Sequence, residues 1–273
     1  MFGILKKGWS SAWSQPFVLA VLFLYRFAWA FALFRIAKSH VVPLLARYPD
    51  SGGPSGGAQL FLMEAQFRLA KTDLAAEYVG GLLLLLGIRM LITPLLNAGI
   101  FYSLTHTQLN TGYRFFKGLK RLGPAFTLYY AARMALTLLP LLWIYPHVRS
   151  LNELYSLASN PNKLLLYALV YAAYGYLIHL LFLHLQFGHT ERQPFLRTLI
   201  RSLSSALPVL GTALLLITLS VLLSAGVLAA ALWDAGLWTF LLYQGYTFVR
   251  TFLSLWGITS QHQVFRMKSE PTF

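Results

Sequence analysis

The sequence contains no cysteine. Disulfide bonds, thiolate catalysis, iron–sulfur clusters and cysteine-ligated zinc are therefore excluded. Charged residues are also scarce, at 11% of the chain, against about 25% in soluble domains. Only eight residues are acidic, and none of them falls inside a predicted membrane span. This absence argues against a carboxylate-based intramembrane enzyme and against carboxylate proton relays.

Apolar residues, in contrast, make up 57% of the chain, and the mean hydropathy is +0.60. They are gathered in runs near the roughly 20 residues that a bilayer core requires. We predict an all-α fold, a polytopic transmembrane helix bundle that forms a single integral membrane domain over residues 1–273. About six spans are predicted, at 16–37, 79–104, 124–145, 163–187, 206–232 and 236–258.

The longest predicted loop covers residues 38–78. After a glycine-rich stretch at 51–57, apolar residues recur every three or four positions, with charged residues on the other faces. The apolar series is Leu60, Met63, Phe67, Ala70, Leu74 and Tyr78. This period predicts an amphipathic helix that lies on the membrane or caps the bundle.

The distribution of basic residues predicts the orientation of the spans. Eleven lysines and arginines fall in the two termini and in the loops before spans three and five, and six fall in the other loops. Because cytoplasmic loops of membrane proteins are enriched in basic residues, both termini are predicted to be cytoplasmic, in a plasma membrane. The formal net charge of +14 then indicates contact with anionic phospholipid rather than with nucleic acid, since no soluble basic domain is present.

Five arginines fall within the predicted spans, at positions 26, 35, 89, 133 and 250. Insertion scales assign about 2.5–3.5 kcal/mol to an arginine at a helix centre. Polar residues three or four positions away share a helix face with three of these arginines. The candidate ligand contacts on these polar stripes and on span four are Arg89, Thr93, Asn97, Tyr129, Arg133, Thr137, His179, Thr247 and Arg250.

Two interpretations of these stripes remain open. In the first, the polar stripes converge on a water-filled, positively charged cavity that binds an anionic solute or a lipid headgroup. Alternatively, the arginines extend separately to water and lipid phosphate, while the hydroxyl groups join neighbouring helices.

No metal, cofactor or catalytic motif is predicted. His179, His184 and His189 are spaced five apart, which turns successive side chains away from a shared helix face, and no carboxylate accompanies them. Neither a nucleophile elbow nor a zinc-protease motif occurs. The sequence therefore favours a protein that is not an enzyme.

One stretch carries a resemblance. It comprises Asn97-Ala98-Gly99, followed by Phe115-Phe116-Lys117-Gly118-Leu119-Lys120-Arg121-Leu122-Gly123-Pro124. It resembles uncharacterised bacterial six-helix integral membrane proteins related to the membrane region of glycerophosphodiester phosphodiesterases. The resemblance implies the topology and a bacterial cell membrane. The hydrolase domain of the fused members has no counterpart in this sequence, so none of their catalytic residues is carried over.

We therefore expect a multi-pass membrane protein that handles or transports an anionic solute or lipid headgroup. The alternative is a structural or assembly partner in a cell-envelope membrane complex. The expected partners are membrane lipids, in particular anionic phospholipid. A partner membrane protein or an ATPase subunit is also expected.

Overall fold

A computed structural model describes residues 2–45, 67, 72–148, 161–233 and 237–267. Within these ranges the chain forms eight helices and no strand. The helices are α1 (Phe2–Trp13), α2 (Pro16–Leu45), α3 (Thr72–Thr105), α4 (Thr111–Val148), α5 (Pro161–Thr190), α6 (Phe195–Ser204), α7 (Ala206–Trp233) and α8 (Leu237–Met267).

Five of these helices are long and apolar enough to cross a membrane. In the most apolar stretch of each, between 6% and 17% of the residues are buried by the protein, so most of the residues there are not fully buried. The prediction of an all-α, polytopic membrane bundle is confirmed. The five candidate spans are Pro16–Ile36, Val79–Thr105, Thr111–Leu142, Leu165–Thr190 and Ala206–Trp233. The sixth predicted span, 236–258, overlaps α8 from Leu237 onward and is not among the five candidates found in the described residues.

Several helices extend beyond their predicted limits. Helix α2 continues to Leu45 and α3 begins at Thr72, so both extend into the predicted 38–78 loop. The amphipathic helix predicted in that loop lies mostly outside the described residues. The basic segment before span three is continuous with α4, which begins at Thr111. In the basic segment before span five, Arg197 and Arg201 lie on the separate helix α6, and Arg192 precedes it.

The chain divides into two compact units. The smaller unit, Ala20–Thr93, contains most of α2 and the first part of α3. The hydroxyl groups of Tyr25 and Thr93 hydrogen-bond at 3.2 Å between these two helices. The larger unit comprises Met1–Leu19 and Pro94–Phe273.

The core of the larger unit is aromatic. Phe101, Phe126, Phe187 and Phe265 are each 2% exposed or less. The rings of Phe101 and Phe187 stack with centroids 4.5 Å apart, and Phe126 meets Phe101 edge-on at 5.2 Å. Since Phe101 and Phe187 lie in the last two turns of their candidate spans, the best-packed part of the unit lies at the span ends.

Helices α3 and α4 approach closely where two glycines lie at their contact. A Cβ atom on Gly118 would lie 2.9 Å from the carbonyl oxygen of Ala98 and 3.1 Å from Cα of Gly99. A Cβ atom on Gly99 would lie 2.6 Å from the ring of Phe115. These residues belong to the stretch that carries the sequence resemblance, and their small size permits the close packing.

The N-terminal helix is attached to the C-terminal one. Trp256 Nε1 donates a hydrogen bond to the carbonyl oxygen of Leu5 at 3.0 Å, and Thr259 Oγ1 donates one to that of Gly8 at 2.8 Å. The ring of Trp9 meets those of Phe252 and Trp256 edge-on, at 4.6 and 5.0 Å. Helix α1 is therefore fixed along the second half of α8.

A buried arginine fixes the junction between α1 and α2. Arg114 is 3% exposed. Its Nη2 donates to Gln15 Oε1 at 2.7 Å and its Nη1 to the carbonyl oxygen of Thr107 at 3.1 Å. Because buried charge needs hydrogen-bond partners, this arginine holds the α1–α2 connection and the α3–α4 connection together around one cation.

Candidate anion-binding site

The predicted contact Arg89 lies in the smaller unit. Its guanidinium carbon is 5.0 Å from the centre of the Trp29 ring, a cation–π distance. Thr93 Oγ1, on the same stripe, donates to the carbonyl oxygen of Arg89 at 2.6 Å and meets Tyr25. Within its own unit, Arg89 is thus paired with an aromatic ring between α2 and α3.

Arg133 and His179 are brought together in the larger unit. Arg133 Nη1 lies 2.9 Å from Nδ1 of His179. Since a guanidinium only donates, Nδ1 accepts and the imidazole is neutral with its proton on Nε2. Thr137 Oγ1 donates to the carbonyl oxygen of Arg133 at 2.8 Å, and Tyr171 donates to that of Thr137 at 3.1 Å. The predicted polar stripe therefore joins α4 to α5.

The remaining predicted contacts are more dispersed. Arg250 is exposed on α8, and Thr247 Oγ1 donates to the carbonyl oxygen of Tyr243 at 3.1 Å. Asn97 is half-buried on α3, and the ring of Tyr129 lies 5.6 Å from that of His189. That Arg89 converges with Arg133 or Arg250 on one site stays a prediction.

A cavity of about 680 Å³ opens elsewhere in the larger unit, at the ends of the candidate spans. We call it the span-end cavity. Its walls come from the end of α3, the first third of α4, the end of α5 with the residues that follow it, and the end of α8. Its polar lining residues are Tyr102, Thr105, His106, Arg121, His189, Thr190, Glu191, Arg192, Gln193 and Arg266. Its volume is in the range of about 300–1,000 Å³ that small-molecule sites occupy.

The span-end cavity has a positive charge balance. Three arginines line it, and Glu191 is the one carboxylate among the described lining residues. Glu191 is already engaged, since its Oε1 lies 3.3 Å from His262 Nε2 and 3.7 Å from Arg266 Nε. Gln193 Nε2 donates to the other carboxylate oxygen at 3.3 Å. The cavity therefore attracts an anion rather than a cation.

Arg192 occupies an unusual backbone position on the cavity wall. Its φ is 57°, in the left-handed region, and it is the one such non-glycine residue in the described part of the chain. The backbone NH of Gln193 donates a hydrogen bond to the carbonyl oxygen of Gly188 at 2.8 Å. The backbone NH of Arg192 donates one to the carbonyl oxygen of His189 at 3.1 Å. This bond pair is the Schellman motif, whose left-handed position usually carries glycine. An arginine there costs about 1–2 kcal/mol, so its side chain is placed at an energetic cost.

The ring of His106 forms another part of the wall. It stacks on Tyr102 with centroids 3.9 Å apart and planes 6° apart. Its Nδ1 lies 2.8 Å from Thr105 Oγ1 and 3.3 Å from the carbonyl oxygen of Tyr102. These contacts of Nδ1 with a hydroxyl and a carbonyl oxygen fix the orientation of the ring. A fixed imidazole beside three guanidinium groups suits a phosphate or carboxylate ligand.

Sequence reasoning missed the span-end cavity. In the sequence, Arg121, Arg192 and Arg266 indicate only the topology, as basic residues of loops and termini. The cavity is lined by residues of four helices, whereas the helical period predicts only which residues of a single helix share a face. The period therefore could not show that these residues come together. One local signal existed: the helix-ending segment Thr190-Glu191-Arg192-Gln193 has no glycine where a helix C-terminus often has one.

No protein-family model matches the chain, and no curated protein or solved structure matches it either. The resemblance to the membrane region of glycerophosphodiester phosphodiesterases stays a prediction. The described residues contain no group of three or more metal-ligating side chains.

Proposed function

We propose that this chain is a multi-pass plasma-membrane protein that binds an anionic group, a free solute or a lipid headgroup, in the span-end cavity as part of its handling or transport. The observation that carries the proposal is the lining of Arg121, Arg192 and Arg266 around a single, already engaged carboxylate. The left-handed backbone of Arg192 adds support, because a side chain held at an energetic cost indicates a use for it.

The same site has a defined place in the proposed topology. The excess of basic residues near both termini and in the loops before spans three and five supports a cytoplasmic position for these segments. The cavity lies at the ends of the candidate spans Val79–Thr105 and Leu165–Thr190, on the side where those basic segments lie. It therefore opens at the depth of the cytoplasmic headgroups, where anionic lipid and cytoplasmic phosphate are both within reach.

Two titrations on the purified protein distinguish the two sources of the anion. Inorganic phosphate is titrated calorimetrically into protein in an uncharged detergent. Native mass spectrometry then compares retention of phosphatidylglycerol with that of phosphatidylcholine. Phosphate binding indicates a solute site, whereas selective retention of phosphatidylglycerol without phosphate binding indicates a headgroup site.

The variants Arg121→Gln and Arg192→Gln test the cavity itself. Each removes a donor of charge-assisted hydrogen bonds, so we expect about a tenfold loss of affinity for the anion that binds. Lys120→Gln is the matched control, because Lys120 is exposed on α4 next to Arg121 and is not a lining residue. Unchanged binding by the double cavity variant would refute the proposal.

A further inference from the structure

On helix α6 the apolar side chains are exposed and polar side chains are buried, the reverse of a helix on the surface of a water-soluble protein. Leu196, Ile200 and Leu203 are 65–70% exposed, whereas Thr198 and Ser202 are buried. At about 100° per residue, the three exposed apolar residues fall within an arc of about 60°, roughly opposite the two buried polar ones. The side of α6 that faces away from the protein is therefore apolar.

Contacts of the polar side explain why it faces inward. The absence of a side chain on Gly188 lets Thr198 approach α5 closely, since a Cβ atom there would collide with the threonine side chain. Arg201 Nη1 donates to Gln193 Oε1 at 2.8 Å, and its guanidinium carbon lies 5.6 Å from the Phe265 ring. The orientation of α6 is thus set by several independent contacts.

The neighbours of α6 along the chain are candidate membrane spans. The span before it ends at Thr190, and the span after it begins at Ala206. Ser205 alone separates α6 from α7, and one residue advances the chain by less than about 4 Å. Helix α6, about 15 Å long by its ten residues, therefore lies next to the membrane face where α7 begins.

The charge on α6 fits the same environment. Its two charged residues are Arg197 and Arg201, and it has no acidic residue. Exposed Arg197 and Ser204 lie side by side on the helical wheel, next to the apolar arc and away from the protein contact. The circumference thus has an apolar sector, a polar exposed sector and a sector packed on the protein.

We propose that α6 lies in the plane of the membrane interface, with Leu196, Ile200 and Leu203 inserted at the boundary between headgroups and acyl chains. The occupant of this surface is the lipid of the membrane that α5 and α7 cross. Leu207, the next large apolar residue and 84% exposed, continues the apolar surface into α7. Arg197 then lies level with the lipid phosphates, as basic residues on interfacial helices do.

The natural absence of cysteine makes a direct test practical. Single-cysteine variants Leu196→Cys, Ile200→Cys and Leu203→Cys carry a nitroxide label in phosphatidylcholine–phosphatidylglycerol liposomes, with Ser204→Cys as the control on the polar sector. We expect collisions with oxygen to exceed those with a water-soluble nickel chelate several-fold at the three apolar positions, and the ratio to reverse at Ser204. The three apolar positions are independent of one another, so the remaining two suffice if one variant aggregates.

Three results would overturn the inference. Strong nickel collisions at all four positions would place α6 in water. Low collision rates with both reagents, together with spin–spin broadening that disappears on dilution with unlabelled protein, would show that a second copy covers α6. Low rates with both reagents without such broadening would show that the apolar side is buried within the protein.

Discussion

Arg133 Nη1 and His179 Nδ1 lie 2.9 Å apart, within two helices that are long and apolar enough to cross a membrane. The pair joins a permanent cation to a neutral acceptor. Loss of the acceptor alone leaves a cation without its side-chain hydrogen bond, whereas loss of both partners leaves neither group unsatisfied.

We expect His179→Phe to lower the free energy of unfolding by about 1–3 kcal/mol, and the double variant Arg133→Met with His179→Phe to lower it less. A double-mutant cycle measured by unfolding in detergent micelles checks this. Additive effects of the two substitutions would contradict the contact. If Arg133 instead binds the ligand, its substitution will abolish anion binding while His179→Phe preserves it.

Substitution of Arg192 by glycine separates stability from binding. Glycine adopts the left-handed conformation without strain, so Arg192→Gly should raise the free energy of unfolding by about 1 kcal/mol. The same change removes a guanidinium from the cavity and should weaken anion binding about tenfold. Thermal unfolding and the phosphate or lipid titration are measured on the same preparation. A variant that is more stable and binds equally well would show that the arginine has no role in binding.

The acidic residue of the span-end cavity, Glu191, gives the converse prediction. Glu191→Gln removes the one carboxylate among the described lining residues of the cavity, so we expect anion affinity to rise about 3- to 10-fold from the lost repulsion. His262 and Arg266 lose their ionised partner, so the variant should also unfold at a lower temperature. The affinity difference should shrink as salt is added, because salt screens charges near solvent. A weaker affinity at low salt would contradict the proposed charge balance.

Packing between α3 and α4 gives a prediction independent of function. Gly118→Ala places a methyl group 2.9 Å from a backbone oxygen, and we expect a loss of about 1–3 kcal/mol in the free energy of unfolding. Gly226→Ala is the matched control, because nothing lies within 4 Å of the added Cβ atom. There the loss of glycine flexibility should leave stability unchanged or raise it by about 0.5–1 kcal/mol. Equal effects of the two substitutions would show that α3 and α4 do not approach as described.

The sequence predicted those features that one helix carries by itself. Long apolar runs located all five candidate spans, and the four-residue spacing of Arg133 and Thr137 identified a polar stripe that does join two helices. The span-end cavity could not be predicted in this way, because Arg121, Arg192 and Arg266 come from distant segments that only the tertiary fold brings together. The reversed polarity of α6 was hidden for a related reason. Its pattern shows two faces, and only the packing of Thr198 and Ser202 shows which of them faces the protein.

The bonds from Trp256 and Thr259 to the backbone of α1 connect residues that are 251 positions apart in the sequence. Because synthesis proceeds from the N-terminus, α1 is made well before the residues of α8 that hold it. Arg266, near the end of that same helix, also closes the cavity wall. A nascent chain in which α8 has not yet been made therefore has neither a docked α1 nor a complete cavity wall, and synthesis of α8 supplies both.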